Sequence, residues 1–99
     1  MNNAEHLLTC LAEEGCEIAH ACHKSLRFGL DDRNVLNPNG PTNRERIVEE
    51  LNDLMAVIGI LQARGVIPDD WQSWKKQGDK DRKVERFMDY AKKHGALKE

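Results

Sequence analysis

The stretch that decides the fold is TNRERIVEELNDLMAVIGILQAR, residues 42–64, which combines a helix start with a helical repeat of apolar residues. Thr42, followed three positions later by Glu45, has the pattern of a capping box, in which each side chain satisfies a backbone N–H of the other residue. Apolar residues then recur at steps of three and four: Ile47, Leu51, Leu54, Ile58 and Leu61. This repeat predicts an amphipathic helix that continues to Arg64, with Gly65 as its stop.

A second long helix is predicted before this one, from Glu5 to Phe28. This segment has no proline, a single glycine and apolar residues at helical spacing, with Asn2 or Asn3 as its cap. Between the two helices, residues 29–43 collect glycine, proline, asparagine and aspartate, which is the composition of a loop. A loop of this length in so small a domain is more often functional than idle.

The carboxy-terminal part is predicted to form shorter helices. A turn or short helix carries Trp71 and Trp74 and is expected to break at Gly78, and a last amphipathic helix is expected from Asp79 to Lys93. No segment alternates apolar and polar residues for long enough to predict a strand. The sequence therefore predicts one all-α domain over residues 1–99, a bundle of two long helices with shorter carboxy-terminal helices packed on them.

Composition excludes several classes of protein. The 99 residues include 15 Lys and Arg against 17 Asp and Glu, a net charge of -2, so a protein built mainly to neutralise nucleic-acid phosphates is not expected. The longest uncharged apolar run, Leu54 to Ala63, is too short to span a membrane, and no basic, apolar leader begins the chain. The three cysteines fall within one predicted helix, which does not suit a disulfide framework. The expected location is therefore the cytoplasm.

Carboxylates interrupt the apolar stripes of both long helices. Glu14 lies in the stripe of the first helix with Glu17 one turn further, and Glu50 lies in the stripe of the second with Asp53 one turn further. If the helices pack antiparallel, these four acids converge. Burying like charges together is costly unless something compensates, and a divalent cation does so. Oxygen ligands favour Mg²⁺ or Mn²⁺ over Zn²⁺, although acids on solvated helix faces are the simpler alternative.

The two acidic motifs resemble those of a known family. Residues 13–17 (EEGCE) and 49–53 (EELND) match the EExxE and ExxD motifs of the MazG-like, all-α nucleoside triphosphate pyrophosphohydrolases. Further likeness to small single-domain phage and bacterial members involves residues 24–29 and 42–45, within a similarity over residues 12–67 and a weaker one over residues 80–90. The interval from Glu17 to Glu50 is longer than the family's commoner gap. The added length falls in the loop, where we expect it to alter the pocket rim or oligomer contacts.

The resemblance implies Mg²⁺-dependent hydrolysis of a ribo- or deoxyribonucleoside triphosphate between the α and β phosphates, for nucleotide-pool control or housecleaning. The metal ligands it implies are Glu14, Glu17, Glu50 and Asp53. It further implies that Glu13 or Glu14 orients or deprotonates the attacking water. Lys24 is implied as a catalytic and substrate-binding residue that neutralises phosphate charge, with help from Arg27. The family also forms homodimers or homotetramers in a bacterial or phage-infected cell.

Other patterns leave alternatives open. Cys16, His20 and His23 share one helix face that could bind zinc, but the sequence offers no evident fourth ligand. The first helix has a second apolar flank that either a second copy of the chain or the carboxy-terminal helices would cover: Leu8, Ala12, Gly15, Ala19 and Leu26. The two tryptophans are expected to anchor a core or an interface. The alternative function is a non-enzymatic helical interaction module or regulatory oligomer, and the base that an enzyme would recognise is not indicated.

Overall fold

The computed structural model describes residues 1–98 and contains three α-helices: α1 (Asn3–Phe28), α2 (Asn43–Ala63) and α3 (Trp74–Lys93). No strand occurs within residues 1–98, where extended pairing is limited to an isolated antiparallel bridge between Arg33 and Thr42. The all-α fold class is therefore confirmed. The chain divides into two compact units, Met1–Asp69 and the residues from Asp70 onward, which are described separately. The single domain over residues 1–99 stays a prediction.

α1 begins and ends at residues that satisfy its terminal backbone groups. The side chain of Asn2 accepts a hydrogen bond from the Glu5 backbone N–H at 2.8 Å, so Asn2 is the cap and the helix starts earlier than predicted. At the other end, Gly29 has φ 98°, a conformation that glycine adopts without steric cost. Its N–H makes the last helical hydrogen bond, to the Ser25 carbonyl at 2.8 Å. The helix thus ends at Phe28, where the sequence predicts.

α2 begins with the predicted capping box. The Glu45 N–H donates to the Thr42 hydroxyl at 3.1 Å, and the Thr42 N–H donates to a Glu45 carboxylate oxygen at 3.2 Å. The bonds that Thr42 donates to this carboxylate, from its backbone N–H and then from its hydroxyl at 3.0 Å, lower the pKa of Glu45 below the usual 4.5. The helix ends at Ala63, one residue before the predicted end, and Gly65 follows with φ 70°.

α1 and α2 form an antiparallel hairpin. The end of α1 lies beside the start of α2, because the Asn43 amide donates to the Gly29 carbonyl at 2.8 Å. The middle of α1 lies beside a later part of α2, because Glu14 is close to Glu50 and Asp53. In this arrangement, residues later in α2 lie beside residues earlier in α1. The predicted convergence of the two acidic motifs depends on it.

The core of the hairpin is small. Ala21 on α1 and Leu61 on α2 are the buried hydrophobic residues in the part of the chain that the structure describes, and Leu61 is fully inaccessible. On the second flank of α1, Leu8 and Leu26 are 48% and 82% exposed. α2 also exposes large apolar side chains: Val48, Leu51, Met55 and Ile60. None of the described helices has the length and apolarity that a bilayer crossing requires.

The carboxy-terminal unit differs from the prediction. One helix, α3, runs from Trp74 to Lys93 through Gly78, so the expected break at Gly78, the separate short helix and the start at Asp79 are wrong. A glycine inside a helix costs about 1 kcal/mol of helix stability, which disfavours but does not forbid a helix with favourable neighbours. Here the Ser73 side chain caps the first turn, Lys75 pairs with Asp79 across the glycine at 3.0 Å, and Asp79 also pairs with Arg82 in the following turn. The context of Gly78 therefore outweighs its low propensity.

Candidate metal centre

Three carboxylates from two helices meet in the middle of the hairpin. Glu14 of α1 and Glu50 and Asp53 of α2 each offer one oxygen, and these oxygens all lie within 4.8 Å of one another. Glu50 and Asp53 are three positions apart, so their side chains share one face of α2. Glu14 and Glu50 are half-buried, whereas Asp53 is exposed. The structure thus brings together three of the four predicted ligands, which we call the acidic triad.

The surroundings of Glu14 do not favour its negative charge. Its Oε2 atom is buried and has no hydrogen-bond partner in the structure. Burial raises the pKa of Glu14 above the usual 4.5, and the nearby carboxylates raise it further, in the order Asp53, Glu50, Glu17 and Glu13. A buried acceptor without a donor is costly, and most such atoms in proteins are satisfied. The Glu14 carboxylate therefore requires a positive partner, either a proton or a cation.

Two predicted residues lie close to the triad but outside it. The Glu17 carboxylate is exposed and does not belong to the group of oxygens within 4.8 Å, although its charge contributes to the raised pKa of Glu14. Glu13 is also exposed and precedes Glu14 in the chain. The role of Glu17 as a ligand and that of Glu13 toward water stay predictions.

The predicted basic residues lie nearer to the loop. Lys24 follows Glu14 by ten positions, which is about 15 Å along the helix axis, and it is half-buried in the wall of a cavity. Arg27 is exposed, and its guanidinium carbon lies 4.9 Å from the centre of the Phe28 ring, a cation–π contact. Arg27 is not among the residues that line this cavity. The predicted roles of Lys24 and Arg27 toward the substrate stay predictions.

Sequence reasoning missed one basic residue on the same line as the triad. Arg46 precedes Glu50 by four positions and Asp53 by seven, so the three side chains lie along one face of α2. Arg46 is half-buried and lines the cavity that Lys24 also lines. The spacing rule that identified Glu50 and Asp53 would also have found Arg46, had it been applied to cations as well as acids.

The triad suits a hard divalent cation. Mg²⁺ binds oxygen ligands at about 2.1 Å in octahedral geometry, so ligands on opposite sides of the ion are about 4.2 Å apart. The triad oxygens lie within 4.8 Å of one another, a somewhat wider span, so the side chains would move inward to bind such an ion. Three carboxylates leave further positions for water or phosphate, as is usual for Mg²⁺. The all-carboxylate donor set therefore fits Mg²⁺ or Mn²⁺ better than zinc.

Comparison of this chain with known proteins gives no relative. No protein-family model, curated protein or solved structure matches this chain. The likeness to MazG-like enzymes therefore stays a prediction from the sequence motifs. The zinc alternative gains no support, because Cys16, His20 and His23 form no group of close ligand atoms within residues 1–98.

Proposed function

We propose that the protein is a Mg²⁺-dependent nucleoside triphosphate pyrophosphohydrolase of the cytoplasm. The observation that carries this proposal is the acidic triad, in which a buried Glu14 oxygen without a partner lies among other carboxylates. A protein gains no stability from such an arrangement without a cation, so a role in metal binding explains it best. The resemblance of the two motifs to MazG-like enzymes supplies the reaction.

In this reaction a water oxygen attacks the α-phosphorus of the substrate, the bond from that phosphorus to the bridging oxygen breaks, and pyrophosphate leaves. Glu14, Glu50 and Asp53 would hold Mg²⁺, which when bound would supply charge neutralisation and lower the pKa of water. Glu13, exposed beside Glu14, accepts the proton of the water. Lys24 and Arg46 offer positive charge to the phosphate oxygens from the loop end of the hairpin. Positioning and charge neutralisation supply most of the catalysis in phosphoryl transfer.

The proposal includes a homodimer or homotetramer. Leu8 and Leu26 on α1, and Leu51 and Met55 on α2, expose apolar surface that a single copy of the hairpin leaves open. A second copy of the chain would cover such apolar side chains. Sedimentation of the full chain measures its mass in solution, and a monomer at micromolar concentration would contradict this part of the proposal.

The activity is tested by pyrophosphate release from a panel of ribo- and deoxyribonucleoside triphosphates, with Mg²⁺ and with EDTA. We expect release from at least one of them with Mg²⁺ and none with EDTA. Asp53→Asn and Glu17→Gln should abolish release while the helical circular dichroism is kept, and Glu49→Gln, which removes an exposed acid beside the triad, is the matched control. Turnover retained in Asp53→Asn would contradict the metal assignment.

The same experiment separates the enzyme from a non-enzymatic interaction module. The apolar side chains exposed on both helices favour such a module as the second candidate. In that case the protein would release no pyrophosphate from any substrate of the panel. It would also show no thermal shift with Mg²⁺ or Mn²⁺, because the acids would then only set surface charge.

A further inference from the structure

A cavity of about 310 Å³ lies at the loop end of the hairpin. Its wall includes Lys24 and Phe28 from the end of α1, Arg46 from the start of α2, and residues 32–36 from the loop. This volume is at the lower end of the range for small-molecule sites, about 300 to 1,000 Å³. Phe28 lies about 21 Å along α1 from Glu14, so the cavity is a site separate from the acidic triad.

Two cations in this wall have no acidic partner. Lys24 and Arg46 are half-buried, one on each helix, and neither forms an ion pair within residues 1–98. The third cation of the wall, Arg33, is engaged, because its Nε donates to the Gly40 carbonyl at 3.0 Å and its charge lies near the Glu45 carboxylate. A cation that is partly removed from water is costly without an anion. Lys24 and Arg46 are therefore the groups that an anionic ligand would contact.

Apolar side chains line another part of the cavity. Phe28, Val35 and Leu36 all belong to its wall, yet they are 57%, 85% and 89% exposed. The loop that carries two of them is held in place, because the Asn43 N–H donates to the Asp32 carbonyl at 2.9 Å. A preformed wall lowers the entropic cost of binding. A ligand with an apolar part would remove these three side chains from water.

We propose that this cavity binds a small organic carboxylate, a ligand with a compact apolar body and one negative charge. The carboxylate accepts hydrogen bonds from the planar guanidinium of Arg46, and Lys24 adds positive charge. The apolar body lies against Phe28 and Leu36. Asp32 in the same wall disfavours a second negative charge, so a carboxylate is preferred to a phosphate monoester, which is largely dianionic at pH 8. This binding does not rest on the proposed function.

The binding test uses the full chain at pH 8 in EDTA, titrated with 2-naphthoate and followed by the amide signals in NMR spectra. No nucleotide is present, so Lys24 and Arg46 are free of the phosphates that the proposed function directs to them. We expect the signals of residues 24–46 to shift, with a Kd of about 1 mM or below. The neutral analogue 2-naphthamide should bind about tenfold more weakly, because it lacks the charge-assisted hydrogen bonds. The dianion 2-naphthyl phosphate should also bind more weakly than 2-naphthoate.

Substitutions in the wall test the two parts of the site. Arg46→Gln should weaken the binding of 2-naphthoate by about tenfold, and Arg46→Lys by less, since it keeps the charge without the planar fork. Arg44→Gln removes the same charge from an exposed position outside the wall and should bind as the wild type does. Phe28→Ala should weaken binding by about fivefold, whereas Phe87→Ala, which removes a similarly exposed ring from α3, should not.

Several results would overturn this inference. Equal losses in Arg46→Gln and Arg44→Gln would show a general attraction of the probe to a basic surface, and equal affinities for 2-naphthoate and 2-naphthamide would show that no anion is recognised. Tighter binding of 2-naphthyl phosphate would contradict the carboxylate as the ligand class. No binding of 2-naphthoate up to about 10 mM would remove the site altogether. Pyrophosphate release enters none of these measurements, so the proposed reaction and this site can fail independently.

Discussion

Replacing Glu14 with glutamine should stabilise the metal-free protein at pH 8 and remove its response to Mg²⁺. The pKa of Glu14 is raised in the folded protein, so the folded state binds the proton more tightly than the unfolded state does. The resulting stability is present below the ordinary value of 4.5 and is lost as the pH rises through the raised pKa. At pH 8 the carboxylate is charged and unfavourable, whereas the glutamine is neutral at every pH and has almost the same shape.

The size of the Mg²⁺ response follows from mass action. A ligand that binds only the folded state at ten times its Kd stabilises that state by about 1.4 kcal/mol. For a domain of the size of the unit Met1–Asp69, each kcal/mol shifts the Tm by about 4–8 °C, so we expect a shift of about 6–11 °C. Glu14→Gln leaves Glu50 and Asp53 as the carboxylates of the triad, and its shift should be close to zero.

Thermal unfolding followed by circular dichroism measures both effects. Melts are recorded in EDTA and at increasing MgCl₂, at pH 8 and again at pH 4, where the Tm advantage of Glu14→Gln should disappear because the carboxyl group is then largely protonated. Glu49→Gln removes the same charge from an exposed position outside the triad and should keep the Mg²⁺ shift of the wild type.

Two results would refute this reasoning. An Mg²⁺ shift in Glu14→Gln as large as that of the wild type would show that the cation binds elsewhere. A Tm in EDTA at pH 8 below that of the wild type would show that the Glu14 carboxylate has a stabilising partner in the folded protein.

Three further substitutions test the packing and the helix ends. Leu61→Ala removes the fully buried side chain and should lower the free energy of unfolding by about 2–5 kcal/mol, against a small loss for the half-exposed neighbour in Ile60→Ala; equal losses in urea titrations would contradict the burial. Thr42→Ala breaks the capping box and should cost about 1 kcal/mol, measured in the same way, with Thr42→Ser close to the wild type. Gly78→Ala should stabilise α3 by about 0.5–1 kcal/mol, because the new Cβ would lie in ordinary contact, 3.6 Å from the Arg82 side chain; a lower helical signal would show that the site requires glycine.

The sequence predicts α1 and α2 well because their ends carry local chemistry. The capping box at Thr42 and the glycines at 29 and 65 act through hydrogen bonds and backbone angles within a few residues, which a sequence pattern contains. The prediction for α3 fails at Gly78 for the opposite reason. The stop was inferred from the propensity of one residue, whereas the helix depends on the cap at Ser73 and on the ion pair from Lys75 to Asp79 across the glycine.

The candidate site, too, is predictable only where the signal is local in the sequence. Glu14, Glu50 and Asp53 are detectable because carboxylates interrupt apolar stripes, and helical spacing then gives their direction. Glu17 has a suitable direction too, but helical spacing does not give its distance from α2, which depends on how the two helices cross. The cavity is beyond sequence reasoning because long-range bonds build it, such as the one from Asn43 to the Gly29 carbonyl.

The triad and the small core together imply that cation binding and folding are linked. Ala21 and Leu61 are the hydrophobic residues buried in the described part of the chain, so the hairpin has a narrow margin of stability against repulsion among Glu14, Glu50 and Asp53. A cation at the triad would convert that repulsion into attraction between α1 and α2, because the ligands would come from both helices. A ligand that bridges two helices stabilises their contact, whereas one bound to a single helix does not. Occupancy of the triad should therefore strengthen the hairpin that also forms the cavity, without any change in fold.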